Sequence, residues 1–586
     1  MIKKITKPVN VLYQKWHSEN SLSKGVIIIT LLLVIFSYLP SLVNDYVPQD
    51  QWRAFRYSTF EQPYLSRTKA CMNMVVGFYI QTGRPLVWIG ECIDHTFVGK
   101  ISDFAFIRPF VLAIVLLTVL YMGAFIAPYV GGWSVGVITS ALFVLAPGYS
   151  FIYMQGATGA PLLICLILSI ASFSKLKPCV QEEKLLTAKN LLRLLVPFIL
   201  FFLACTTYSI WAFIVVSLAL LYFGFDKKYP LEDKFKHLIL ILSFYCFTTL
   251  AYYAFIKASI YLYPILTKKP LLNLGSYMFS MELSPSILFP KFIYAIKFFN
   301  EMYPFSFKLL SGSATIIVLL FALYTGLQKR TKGVFQVIIW TAITLVTSVV
   351  VLLGSVSPWF FSRFNDLALH HLIPWQIFLY VSLAALLFTL VNYFFSKSKI
   401  LVTSLLLIVF LLGPAAIFQN RLTFSEAIIS GFELGFLRSK LKNYINKQEY
   451  INHVLLIIQA NHLRPQFIEK MLKNSVCGGG QNAVLVSATN PVSMPWVINA
   501  LLRERDTFQA SKEVHVSDYL HNPDEAEGKL INGNIPVLQT DGKSSFESPE
   551  KPYIINFTEL TSDPLKTKII RKGDKYIVYF YKSHSN

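Results

Sequence analysis

Between residues 44 and 107 the chain carries NDYVPQDQWRAFRYSTFEQPYLSRTK and then QTGRPLVWIGECIDHTF, two stretches that gather carboxylates, arginines and aromatic rings. Asp50 and Arg53 are three residues apart and share a face if this stretch is helical. Trp52 and Tyr46 are near enough in sequence to offer a sugar ring a flat surface to stack on. The bland reading of the same pair is a surface ion pair worth under about 1 kcal/mol. Glu91, Asp94 and His95 follow in GECIDH and could bind a metal, act as a second acid/base group or touch an acceptor. Their spacing is not a ligand signature, so a structural role is the plainer reading.

The elements that must position these residues are membrane helices. Of 586 residues, 54% are hydrophobic and only 15% charged, with a mean hydropathy of +0.52. That much apolar surface cannot be hidden inside compact soluble domains, which excludes a disordered or DNA-binding protein. The net charge of +21 sits largely in short gaps between apolar runs, the pattern that orients a chain in a bilayer. The seven cysteines are dispersed, with no CxxC or Cys/His pair at zinc spacing, so no structural metal and no disulfide-stapled fold is read from them.

Apolar runs of bilayer-spanning length recur about eleven times, near 26–43, 108–128, 132–148, 158–174, 193–209, 210–225, 238–257, 308–328, 334–354, 371–395 and 400–419. The first follows a basic stretch, 1–25, and has no small-residue cleavage site after it, so it reads as an uncleaved transmembrane helix. With 1–25 cytoplasmic, alternation places Lys175, Lys177, Lys184 and Lys189, then Lys227, Lys228, Lys234 and Lys236, then Lys329, Arg330 and Lys332, and Lys397 and Lys399 inside. An odd helix count puts the C-terminus outside. Residues 108–419 then form a transmembrane bundle, and three outer segments are long: 44–107, 258–307 and 420–586.

The tail 420–586 alternates strand-like runs (453–459, 483–487, 535–539, 553–557, 576–581) with helix-like ones (464–473, 495–505), as a small α/β domain would. Its Gly478-Gly479-Gly480 precedes a strand, whereas a phosphate-binding loop follows one. The segment 258–307 mixes Tyr, Phe and Lys with several prolines and suits the headgroup layer, as a lipid groove or as an inert interfacial helix. The apolar runs hold essentially no Asp, Glu, Lys or Arg in their interiors, which argues against ion-coupled transport. No P-loop or DxD motif occurs on an inner loop, which disfavours a nucleotide-sugar donor.

An acidic motif directly after the first transmembrane helix, then Gly83-Arg84-Pro85-Leu86 in the same outer segment, then a polytopic body: this order resembles the bacterial serotype-converting O-antigen glucosyltransferases, the GtrII-like family. In that family the acidic motif is two adjacent carboxylates followed by an arginine. Here Gln49-Asp50-Gln51-Trp52-Arg53 takes its place, with Gln49 where the first acid is expected, and Asp45 on the same loop as a substitute. The runs and the tail pattern give a polytopic α-helical protein with about 11 transmembrane helices and a C-terminal periplasmic α/β domain, and the resemblance implies that it is of the GT-C type, in the bacterial inner membrane. It implies transfer of one sugar, usually glucose, from undecaprenyl phosphate to an O-antigen repeat of lipopolysaccharide on the periplasmic side. The partners would be that lipid-linked donor, the glycan acceptor and membrane lipids, with no nucleic acid. No cofactor is expected, and dependence on a divalent metal stays open.

On this reading Asp50 is the base that takes the acceptor hydroxyl's proton, help typically worth about 10²–10⁴-fold. Arg53 and Arg84 are the candidates for the leaving lipid phosphate, whose oxygens suit an arginine fork. Gly83 and Pro85 look like a turn that could instead place Arg84 as a helix cap. In SRFNDLALHH, before the tenth run, Arg363 could reach the donor phosphate and Asp366 or His370 the acceptor, or the cluster could anchor the chain at the interface. Cys71 and Cys92 share the first outer segment, and an oxidising compartment would permit a disulfide between them. Two rivals stand beside this reading: an O-antigen polymerase or ligase, and a flippase, which would need a polar path through the bundle.

Overall fold

The computed structural model describes residues 7–43, 63–98, 101–146, 160–182, 188–269, 284–291, 293, 313–356, 372–396 and 398–421, isolated positions between 423 and 438, and strands at 455–457, 515–517, 570–572 and 575–579. Each of the eleven apolar runs forms a helix. A short basic helix, α1 (Lys7–Ser18), leads into α2 (Ser21–Val43); after the first outer segment, with α3 (Tyr64–Gln81) and α4 (Trp88–Phe97), come α5 (Phe104–Val130), α6 (Trp133–Val144), α7 (Ala160–Val180), α8 (Ala188–Ala212), α9 (Ile214–Phe225) and α10 (Leu231–Thr267). The bundle closes with α11 (Ser313–Leu327), α12 (Val334–Ser355), α13 (Ile373–Phe394) and α14 (Lys399–Leu407), the last continuing through a π-helical turn to Arg421. The chain is a polytopic α-helical membrane protein.

The lengths differ from expectation in an informative way. Among the described residues, eight helices are long and apolar enough to cross a membrane, while α6, α9 and α11 are shorter. Every residue of α6 and α9 is buried. Twelve residues rise about 18 Å, short of the ~30 Å hydrocarbon core. These two are inner helices of the bundle. Conversely α10, expected over 238–257, runs for 37 residues, about 55 Å, so it overruns the core and absorbs the first part of the expected 258–307 loop.

Close helix contacts rest on small residues, since lipid supplies no hydrophobic drive between helices. A Cβ on Gly136 of α6 would come within 2.3 Å of the Gly123 carbonyl oxygen on α5, so the two backbones touch there. At one end of the bundle three basic connections are tied together. Lys177 pairs with Asp226 at 2.7 Å, Lys234 donates to the Asp226 carbonyl at 2.9 Å and to Gln328 Oε1 at 3.0 Å, and Lys329 pairs with Glu232 at 2.5 Å. The connections after α7, α9 and α11, which the charge pattern groups on one side, do meet.

In the tail, β1 (Leu455–Ile457), β2 (His515–Ser517), β3 (Ile570–Lys572) and β4 (Lys575–Tyr579) form one sheet of order β2-β1-β4-β3. β1 is parallel to β2 and β4, while β3 and β4 pair antiparallel with Ile570 opposite Ile577. Parallel neighbours need crossover connections of a dozen residues or more, the α/β pattern. β1 and β4 match the runs 453–459 and 576–581. β2 and β3 were not anticipated, and the other strand-like and helix-like runs, with Gly478 to Gly480, lie outside the described residues.

Candidate active site at the arginine turn

The turn at Gly83 has a local cause. Gly83 N–H donates to the Ile80 carbonyl at 3.1 Å and Arg84 N–H to the Tyr79 carbonyl at 2.7 Å, the paired bonds of a Schellman helix termination. Gly83 sits at φ +75°, where a residue with a Cβ loses roughly 1–2 kcal/mol. Pro85 has no N–H to give, so the helix cannot resume there. The glycine and proline of the tetrapeptide are thus accounted for by backbone geometry. What the turn presents is the half-buried side chain of Arg84.

Long-range contacts then fix the turn. Inside α8 the backbone of Tyr208 is extended, with φ −156° and ψ 97°, which interrupts the helical ladder. Carbonyls freed within a membrane bundle need new donors. The Thr206 carbonyl accepts from Leu86 N–H at 3.1 Å, and Cys165 Sγ lies 3.3 Å from the Ala204 carbonyl and 3.4 Å from that of Tyr208. On the other side Tyr252 of α10 donates its hydroxyl to the Gly83 carbonyl at 2.5 Å. Arg84 places its guanidinium 5.5 Å from the centre of the Tyr208 ring, within cation–π range. Neither the break in α8 nor Tyr252 was anticipated. The signal was Thr206-Thr207-Tyr208-Ser209, four hydroxyl side chains in a row within an apolar run.

The height of the turn follows from α10. Lys234 lies with the tied basic connections, and the rise from there to Tyr252 is about 27 Å, close to the ~30 Å of the hydrocarbon core. Arg84 therefore stands about one hydrocarbon-core thickness along α10 from Lys234 and the basic connections tied to it.

α3 and α4 form a hairpin that carries the turn. Cys71 and Cys92 are joined by a disulfide and pack with Val75, Tyr79 and Val87 in a small core of their own. Tyr79 donates its hydroxyl to Glu91 Oε2, and His95 Nε2 lies 3.9 Å from Glu91 Oε1. Glu91, Asp94 and His95 are 3%, 2% and 1% exposed. All three are buried, and Glu91 braces the hairpin through Tyr79. Thr68 and Thr96 hydroxyls bridge the two helices at 2.7 Å. The hairpin stands against the overrunning part of α10, where Lys269 Nζ donates to the Asn73 carbonyl at 3.0 Å and Gly77 admits the Tyr263 ring.

The structure thus brings Arg84 together with Tyr208 and Tyr252, while Glu91, Asp94 and His95 lie buried on α4, where Glu91 meets Tyr79 of α3. Asp45, Tyr46, Asp50, Trp52 and Arg53, and likewise Arg363, Asp366 and His370, lie outside the described residues. Among the described residues no group of three or more His, Cys, Asp or Glu is arranged to hold a metal ion.

No protein-family model matches the chain, and no curated protein matches it in sequence. Three solved structures superpose on it, all of the Archaeoglobus fulgidus oligosaccharyltransferase. The apo form is 12% identical over 76% of this chain with a TM-score of 0.34. AglB in complex with an inhibitory peptide and a dolichol-phosphate is 12% identical over 75% with 0.35, and the complex with Zn and sulfate is 13% identical over 74% with 0.36. The matches span 63%, 62% and 60% of those chains. A TM-score of this size does not establish a shared fold.

Proposed function

We propose that the chain is a membrane glycosyltransferase of the GT-C type that moves a single glucose from undecaprenyl phosphate to an O-antigen repeat unit on the periplasmic face of the inner membrane. The observation that supports this best is Arg84, held half-buried about one hydrocarbon-core thickness from the tied basic connections by a turn docked on α8 and α10. A fixed guanidinium there suits the phosphate of a lipid carrier, which cannot leave the bilayer.

In the reaction the acceptor hydroxyl oxygen bonds to the anomeric carbon as the bond from that carbon to the phosphate oxygen breaks. Asp50 takes the hydroxyl proton, with Asp45 as the second carboxylate of the loop. The lipid phosphate leaves with the electron pair, and its charge is met by Arg84, with Arg53 and Arg363 in support. Tyr46 and Trp52 give the sugar a stacking surface, and Asp366 and His370 meet the acceptor.

The test expresses wild type and Asp50→Asn at equal membrane levels in a host with a defined O-antigen and weighs the repeat unit by mass spectrometry. One hexose added by wild type and missing with the variant is the expected result. Altered chain length without a change in repeat mass would replace this reading with that of a polymerase, and no change of either kind in several hosts would remove it.

A further inference from the structure

Gln81 is the last residue of α3, three positions before Arg84, and its side chain is wholly buried. Neither its Oε1 nor its Nε2 has a hydrogen-bond partner among the described residues. Burying an amide without partners costs several kcal/mol, roughly 2–7 depending on the reference state. Such a group in a native structure calls for an explanation. Its direction follows from the helix. Gly77 precedes it by one turn and faces Tyr263 of α10, so Gln81 also lies on the α10 side, whereas Tyr79 turns to Glu91 on the opposite face. The amide therefore lies beside the end of the turn that Tyr252 clasps, not in the bracing cluster of the hairpin.

The chemistry of the two side chains is complementary. A guanidinium has only donors and matches an anion, while an amide has donors and an acceptor and matches neutral hydroxyls, which can give and receive. A ligand that satisfies both within one helical turn is a neutral polyol joined to an anion, as in a glycosyl phosphate. We infer that Gln81 is the residue that holds the sugar hydroxyls of a lipid-linked glycosyl phosphate whose phosphate is bound by Arg84. This rests on the proposed function and adds to it a residue that selects the glycosylated lipid over the spent carrier. Because Gln81 is wholly buried, contact with the sugar requires its side chain to turn toward Arg84 when the lipid binds.

The full-length protein in detergent is titrated with undecaprenyl phosphate and with undecaprenyl phosphate glucose, reading affinity by thermal shift for wild type, Gln81→Leu and Arg84→Ala. Wild type is expected to prefer the glycosylated lipid about tenfold or more, from hydrogen bonds the bare lipid cannot make. Gln81→Leu keeps the affinity for the bare lipid, loses the preference, and unfolds at the same or a higher temperature, because an unpartnered amide is replaced by an apolar group of similar size. Arg84→Ala weakens both lipids. A Gln81→Leu protein that retains the preference overturns the inference and leaves the amide to a buried water, and one that unfolds at clearly lower temperature assigns it a structural partner. Wild type that binds both lipids equally removes the role of Gln81 while leaving the glycosyltransferase reading in place; wild type that binds neither removes both.

Discussion

If Gly83 is required for its backbone conformation, Gly83→Ala should loosen the turn by a calculable amount. At φ +75° an L side chain is disfavoured by about 1–2 kcal/mol, which changes the population of an undocked turn by roughly 5–30-fold. Two amides report this directly. Arg84 N–H closes the helix end on Tyr79, and Leu86 N–H docks the turn on Thr206. Hydrogen exchange at both should quicken by about that factor in Gly83→Ala, with little change in α5 or α13, because exchange by local opening scales with the population of the open form. Gly83→Asn is the control, since asparagine tolerates the left-handed region, and it should recover most of the protection. Unchanged exchange in Gly83→Ala would refute the claim that φ at this residue holds the turn. Equal damage from Ala and Asn would refute it differently, by showing that the site rejects any side chain for lack of room.

Replacing both Cys71 and Cys92 by Ser removes a cross-link over a sequence separation of 21. The hairpin should lose about 3 kcal/mol, read as faster protease cleavage within 64–97 while the bundle stays intact. A double variant as resistant as the oxidised wild type would show that packing alone holds the hairpin. Burial lowers the pKa of Lys15 below its ordinary 10.5, with Glu19 acting the other way, although its Nζ donates to the Ala124 carbonyl at 2.8 Å. Between the lowered value and 10.5 the undocked helix binds more protons than the docked one, so docking of α1 should tighten as pH rises through that window. Emission from Trp16, which meets the Trp133 ring edge-on at 6.5 Å, should follow this rise in wild type and not in Lys15→Met, and an identical pH response in the two would count against the assignment.

The apolar runs were legible because length and composition alone decide whether a stretch can lie in a bilayer, and all eleven became helices. What they hid was how far each helix extends. The outer part of α10, ASIYLYPILT, lies beyond the run 238–257 in a segment whose Tyr, Lys and Pro content suits the headgroup layer, yet it continues the same helix and packs against α3. Gly83 and Pro85 were legible as a turn, because both residues restrict their own backbone. Their partners Thr206 and Tyr252 lie far along the chain, and no local pattern pairs them. The burial of Glu91, Asp94 and His95 could have been read from their spacing at i, i+3 and i+4, which puts all three on one face of α4. The orphaned amide of Gln81 depends on what does not approach it, which only the packed structure reveals.

The contacts that hold the arginine turn have a consequence for how the protein is made. Gly83 and Tyr252 are 169 residues apart in the chain, and at synthesis rates of about 5–20 residues per second the turn precedes its clasp by roughly 8–34 s. The Schellman bonds reach back no further than Tyr79, so the turn needs only α3 and no later part of the chain to take its shape. During that interval the ribosome is still producing α8 and α10, and the finished hairpin waits for a surface that has yet to be inserted. Ribosome stalling between residues 100 and 188, before the helix that carries Thr206 is made, should therefore leave a turned but undocked arginine, a biosynthetic intermediate that later translation completes.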